Sequence, residues 1–242
     1  MLLWIRSILF TILFYAETLL LCILFIPTFF LPVRFANWLP ISWSYVTVWL
    51  ARVICGIKLQ ARGLENIPKE NGYIVASKHQ SAFETVFLFR YIPNGVYILK
   101  RSLLLLPLVG LYFLKLRYIP INRSGGATTM RKMMTLAKKR LAEGRNLIIF
   151  PEGTRTPPEQ KKPYAPGVAL IYDQCAVPVL PVALNSGYCW PKNKTLHPAG
   201  TVTVEFLPPI QSGLGKRQFL DKLYTDIETA QDNLPNPFGK EK

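Results

Sequence analysis

The chain has 242 residues and a formal net charge of +15, from 29 Lys and Arg against 14 Asp and Glu. That length suits one domain with a short appendage. Half of the residues are hydrophobic and only 18% are charged, against a usual ~25%. A strongly basic balance favours an anionic partner, either nucleic acid or an anionic bilayer. Zinc-finger spacing, a base-stacking strand motif and a basic region running into heptads are all missing from the sequence, so the bilayer is the better match.

Residues 1–31 are almost continuously apolar, interrupted by Arg6, Ser7, Thr11, Glu17 and Thr18. A signal peptide has a compact apolar run followed by a small-residue cleavage site. Here the run carries a carboxylate and continues to Pro27 and Pro32, so it is expected to be retained as an anchor. At ~100° per residue, Arg6 and Glu17 share one helix face with Ser7 and Thr18. Charge within a membrane is costly, so this stripe should face a partner helix, the rest of the protein or the headgroups. A second apolar stretch, residues 41–59, follows a Pro-rich joint, and Trp38, Trp43 and Trp49 suit the interfacial belt. The two segments can span as a hairpin or lie half-sunk; the charge on both favours the shallow arrangement. The division expected is an anchor over 1–60 and a catalytic domain over 61–242.

After Gly63 short apolar runs alternate with helical stretches. Strands are expected at 73–77, 96–99, 117–121, 146–150, 177–184 and 201–207. Helices are expected at 81–91, 103–114, 127–143 and 216–233. This alternation predicts an α/β domain with a mainly parallel sheet flanked by helices. The active crevice of such a sheet lies beyond the carboxyl ends of its strands. Two polar motifs fall at such ends, after Ser77 and after Phe150, so their side chains are expected to converge.

The first motif is His79-Gln80-Ser81-Ala82-Phe83-Glu84. An alcohol needs a base before it attacks an acyl carbonyl, and imidazole, with a pKa of ~6.5, is suited to the task. A carboxylate on its other nitrogen sets the tautomer and stabilises the imidazolium. Ser81-x-x-Glu84 is also a capping box, and the two roles are compatible. The second motif is Phe150-Pro151-Glu152-Gly153-Thr154-Arg155. Its amides, the Thr154 hydroxyl and the Arg155 fork can hold a phosphate; alternatively it is a turn with a solvated Glu-Arg pair. The third, Asn122-Arg123-Ser124-Gly125-Gly126, suits an anion before a helix. Lys100 and Arg101 follow another strand. Cys22, Cys55, Cys175 and Cys189 are scattered, and His79 and His197 are the two histidines, so no metal site is expected. Free thiols in a reducing compartment are the simplest reading of the cysteines.

In this order the motifs resemble the glycerolipid acyltransferase family that includes 1-acyl-glycerol-3-phosphate acyltransferases. The blocks are His79 to Glu84, Gly110 through Asn122-Arg123, Phe150 to Arg155, and Val177-Pro178-Val179-Leu180-Pro181-Val182. The resemblance implies transfer of an acyl group from a thioester, carried by acyl carrier protein or coenzyme A, to a lysophospholipid hydroxyl. It implies no tightly bound cofactor. Thiols suited to a reducing compartment and the supply of thioesters lead to the expectation of a catalytic domain on the cytoplasmic face of a membrane, a bacterial inner membrane. His79 would be the base and Glu84 its partner; Arg123, Glu152, Gly153, Thr154 and Arg155 would bind glycerol phosphate, and Lys100 would stabilise the oxyanion. Glu84 stands where that family usually has Asp, which allows for a different acceptor such as a lyso-aminolipid (lyso-ornithine lipid). A non-catalytic protein that binds anionic lipid would explain the charge and the apolar N-terminus, but not the ordered motifs.

Overall fold

The computed structural model of the protein describes residues 1–122 and 125–239. Helix α1 (Leu2–Leu24) is long and apolar enough to cross a membrane. A 3-10 turn (Ile26–Phe30) and the short α2 (Val33–Ala36) lead into α3 (Trp38–Leu50), which ends in a π turn (Ala51–Cys55). The polar stripe of α1 faces inward, as its spacing requires. Arg6 donates to the carbonyl of Ile54, and Thr47 donates to Glu17. Trp43 Nε1 donates to Thr18 at 2.9 Å, and Ser7 Oγ accepts the His197 amide at 2.9 Å. The opposite face, with Ile12, Leu19, Leu20 and Ile23, is exposed.

Both ends of α1 touch the remainder of the protein. Ser7 meets His197 near one end, and the Cys22 carbonyl accepts the Tyr112 hydroxyl at 2.7 Å near the other. At 1.5 Å per residue those contacts are about 23 Å apart along the helix. The helix therefore lies along the domain rather than projecting from it.

The second apolar stretch does not stay helical to residue 59. Gly56, at φ +72°, ends it in a left-handed turn. Strand β1 (Ile57–Arg62) follows, with Ile57, Leu59 and Ala61 alternating with the more exposed Lys58, Gln60 and Arg62. The division expected between residues 60 and 61 thus falls inside a strand.

The remaining elements are β2 (Ile74–Ser77), α4 (Phe83–Phe87), β3 (Gly95–Lys100), α5 (Val109–Lys115), β4 (Ile119–Ile121), α6 (Gly126–Ala142), β5 (Asn146–Ile149), α7 (Gly167–Cys175), β6 (Val179–Leu184), α8 (Ser186–Cys189), β7 (Gly200–Phe206) and α9 (Lys216–Asn233). Two expected helices are shorter. The segment at 81–91 is α4 followed by a 3-10 turn (Leu88–Arg90). The segment at 103–114 breaks around Pro107: the ring forces Leu106 into extended backbone, and Leu108 takes φ +58°. A 3-10 turn (Arg101–Leu105) therefore precedes α5. The strand expected at 117–121 begins only at Ile119, because Arg117 adopts φ +60°. Helices α7 and α8 were not anticipated.

The sheet order is β1-β7-β6-β2-β5-β3-β4. All neighbours are parallel except β6 and β7. Strands β2, β5 and β6 are buried at every position, as expected for a sheet covered on both faces. Among these, β2 and β5 are adjacent, with Ala76 opposite Ile149. Their carboxyl ends therefore bring residues 78–84 and 150–156 together.

Candidate active site

His79 lies in the loop after β2, and Glu84 in the first turn of α4. His79 Nδ1 is 2.8 Å from Glu84 Oε1. The same oxygen accepts the amides of Gln80 and Ser81, each at 2.7 Å, while Oε2 accepts the hydroxyls of Ser186 at 2.6 Å and Ser81 at 3.1 Å. Glu84 therefore serves the capping contact and the histidine at once. Its carboxyl is wholly buried, and burial alone raises its pKa. The bond and charge of His79, with the Ser186 hydroxyl and the Ser81 amide, outweigh this and hold it below the usual value.

The imidazole stacks on Phe150, with ring centroids 4.0 Å apart at 14°, and Phe150 in turn stacks on Tyr97 at 5.7 Å. Tyr97 donates to the Glu84 carbonyl at 3.3 Å. The loop is also held through its backbone: the Thr156 amide donates to the His79 carbonyl at 2.7 Å, and the His79 amide donates to Glu152 Oε1 at 3.0 Å. Only 13% of the His79 side chain is open. With Nδ1 committed to Glu84, Nε2 is the nitrogen that can meet a substrate.

Beyond the Phe150–Gly153 turn, closed by a 2.9 Å bond from the Gly153 amide to the Phe150 carbonyl, the chain runs through Thr154 and Arg155. Gly153 has φ +68°, a conformation that an L side chain strains to adopt. Thr154 and Arg155 are half-buried, and the Arg155 carbonyl accepts Lys192 Nζ at 3.1 Å. Glu152 is placed otherwise than a solvated Glu-Arg pair would require: its carboxylate is buried and turned towards His79 and Lys78. Lys100 is exposed at the end of β3, separated from β2 by β5. Arg123 lies outside the described residues.

Several contributing side chains escaped the sequence reading. Lys78 Nζ, almost inaccessible to solvent, lies 2.9 Å from Glu228 and 3.4 Å from Glu152. Tyr164 donates to Glu228 at 2.8 Å, and burial in this acidic company pushes its phenol far up. A cation directly after a short strand that reads as fully buried was a usable signal for Lys78. Glu228, beside the buried row Phe219, Leu223 and Ile227, was a weaker one. Nothing local marks Ser186. All four cysteines are free thiols.

A histidine whose Nδ1 meets a buried carboxylate, set at the carboxyl end of a mainly parallel sheet, is an arrangement that can serve general-base chemistry in an enzyme of the α/β class. Residues 58–185 match the family model Acyltransferase. The 1-acyl-sn-glycerol-3-phosphate acyltransferase of Pseudomonas aeruginosa is 37% identical over 177 residues, covering 73% of this chain and 68% of that one. The enzyme of the same description from Limnanthes alba is 27% identical over 195 residues, 80% of this chain and 67% of that one. The chain belongs to the Acyltransferase family. The crystal structure of the 1-acyl-sn-glycerophosphate (LPA) acyltransferase PlsC from Thermotoga maritima superposes with a TM-score of 0.79, covering 95% of this chain and 97% of that one. At 21% identity, that likeness speaks for the fold.

Proposed function

We propose that this enzyme transfers a fatty acyl group from an acyl thioester to the free hydroxyl of 1-acyl-glycerol-3-phosphate, giving phosphatidic acid for phospholipid biosynthesis. The observation that carries the reading is the His79–Glu84 pair, with Nδ1 engaged at 2.8 Å and Nε2 left for the acceptor. Nε2 takes the hydroxyl proton as the oxygen attacks the thioester carbonyl. The tetrahedral intermediate collapses with cleavage of the C–S bond, and the imidazolium returns the proton to the departing thiolate. The lipid supplies the nucleophile, so no acyl-enzyme is needed.

Arg155, with Thr154 and the Gly153 amide, is proposed to bind the acceptor phosphate together with Arg123, and Lys100 to face the developing oxyanion. Glu152 supports the site from beneath through the His79 amide. The donor carrier is acyl carrier protein or coenzyme A. The segment before β1 is proposed as a half-sunk anchor, because a helix tied to the domain at both ends leaves its outer apolar face to the lipid. Reduced thiols and the supply of thioesters support a cytoplasmic location for the domain.

The test is detergent-purified protein given labelled acyl thioester and matched acceptors with and without phosphate, with His79→Ala as control. Product on 1-acyl-glycerol-3-phosphate that disappears in the variant supports the reading. Product only on an acceptor without phosphate keeps the chemistry and moves the substrate.

A further inference from the structure

We infer that the segment from the 3-10 turn Arg101–Leu105 through α5 is a second membrane-inserting element, whose partner is a lipid bilayer with anionic headgroups. Helix α5 has two faces. Gly110 and Tyr112 are buried, whereas Leu111 and Leu114, on the outer side, are 52% and 56% exposed. The outer face of a surface helix in water is ordinarily polar. Before the helix, Leu105 is 84% exposed and Leu106 45%. Four leucines grouped on one short excursion form a contiguous apolar patch of the kind that marks an interaction surface, rather than scattered exposed residues.

Continuity identifies the occupant. Helix α5 is bolted to the end of the N-terminal anchor: the Tyr112 hydroxyl bonds to the Cys22 carbonyl, its ring lies 4.6 Å from that of Phe29, and Lys115 Nζ bonds to the carbonyls of Phe29 at 3.0 Å and Leu31 at 2.7 Å. The leucine patch thus adjoins the exposed apolar residues Leu24, Phe30 and Leu31. Cations bracket it, with exposed Arg101 before it and exposed Arg117 after it. From Thr85 to Ala142 the sequence contains eleven Lys and Arg and no Asp or Glu. Apolar tips flanked by cations match the layering of acyl chains below anionic headgroups.

The position has a consequence for catalysis. The excursion leaves from the carboxyl end of β3, and β3 lies next to β5 in the sheet, so it emerges at the end where His79 sits. Docking through this patch as well as through α1 presents the mouth of the site to the bilayer. The inference takes only the orientation of α1 from the proposed function and needs no turnover to be tested.

The experiment places a spin label at Leu105→Cys in a Cys175→Ser background, the other three thiols being buried. Controls carry the label at Leu20→Cys on α1 and at Thr229→Cys on α9, both exposed positions. Full-length protein is bound to vesicles of equal phosphatidylcholine and phosphatidylglycerol. Relaxation is then compared with oxygen, which concentrates in the bilayer, and with a water-soluble nickel chelate. The expected result is an oxygen-dominated label at residues 105 and 20 and a nickel-dominated one at 229. A nickel-dominated label at 105 with an oxygen-dominated one at 20 overturns the inference and leaves the anchor intact. Nickel dominance at both overturns the anchor as well. A label at 105 shielded from both reagents means that protein, such as a second copy of the chain, covers the patch, and this also overturns the inference.

Discussion

Lys78 Nζ lies 2.9 Å from Glu228 Oε1, although 150 residues separate the two and neither is accessible to water. The contact joins the closing helix α9 to the loop that carries His79. Lys78 also reaches Glu152 at 3.4 Å, and Glu152 accepts the His79 amide. One buried cation therefore supports the His79 loop from below, through backbone rather than side chain.

Removing one member of a buried pair leaves a charge without its partner, at a cost of about 3–5 kcal/mol. Glu228→Ala is expected to lose stability of that order, and Lys78→Met, which leaves two carboxylates facing apolar surroundings, at least as much. Chemical denaturation of each variant checks this. A Glu228→Ala protein as stable as the parent would mean that the pair contributes little.

His79→Ala is expected to lower turnover at least ~100-fold, the lower end of what a positioned base supplies. The imidazole is only one of several donors to Glu84, so the fold should survive. Turnover at saturating thioester, with a thermal melt alongside, separates loss of chemistry from loss of structure.

Glu84→Gln keeps the shape but replaces a carboxylate that accepts bonds from two amides, two hydroxyls and the imidazole. Turnover is expected to fall by ~10²–10⁴, since the tautomer and the imidazolium both lose their partner. The pH dependence of stability has a definite sign. The Glu84 carboxyl is held below its usual value in the folded state, so its contribution is complete above the unfolded value of ~4.3 and fades as the pH falls through the lower, folded value. The stability gap between parent and variant should close only in that acidic range. A gap that instead closed between pH 6 and 8 would contradict the assignment.

Ser186→Ala deletes a 2.6 Å hydrogen bond to this buried anion. Bonds to charged groups contribute roughly 1.5–3 kcal/mol. A destabilisation in that range is expected by urea titration, with a smaller drop in turnover than for Glu84→Gln.

Arg155→Ala is expected to raise KM for the phosphate-bearing acceptor by ~10–100-fold, the equivalent of one charge-assisted contact. The value of kcat should change little, and an acceptor without phosphate should show no such change. Steady-state kinetics on the two acceptors reads both.

Much of the site was legible because it is local. His79 and Glu84 are five residues apart, so a loop followed by one helical turn brings them together whatever lies around them. The apolar strands before Lys78 and before Pro151 were equally plain, and two parallel strands that end in polar motifs have few ways to keep those motifs apart. Strand β1 was also legible in principle, since Ile57 to Arg62 alternate strictly; the apolar helix before it hid the change of period, and Gly56 was the punctuation that marked it.

What the sequence determined by itself was thus the pairing of His79 with Glu84 and the class of sheet that carries them, because hydrophobic periodicity and short spacings are properties of contiguous residues. Tertiary structure decided which distant side chains complete the site. Strand β6 lies beside β2, and Ser186, just beyond β6, is thereby brought to Glu84. Helix α9 packs over the sheet and delivers Glu228 to Lys78. It also decided that the stripe of α1 would be satisfied by Thr47, Ile54 and His197. Such pairings follow from strand order and helix placement, which depend on the packing of the whole core, and no local pattern encodes a partner more than a hundred residues away.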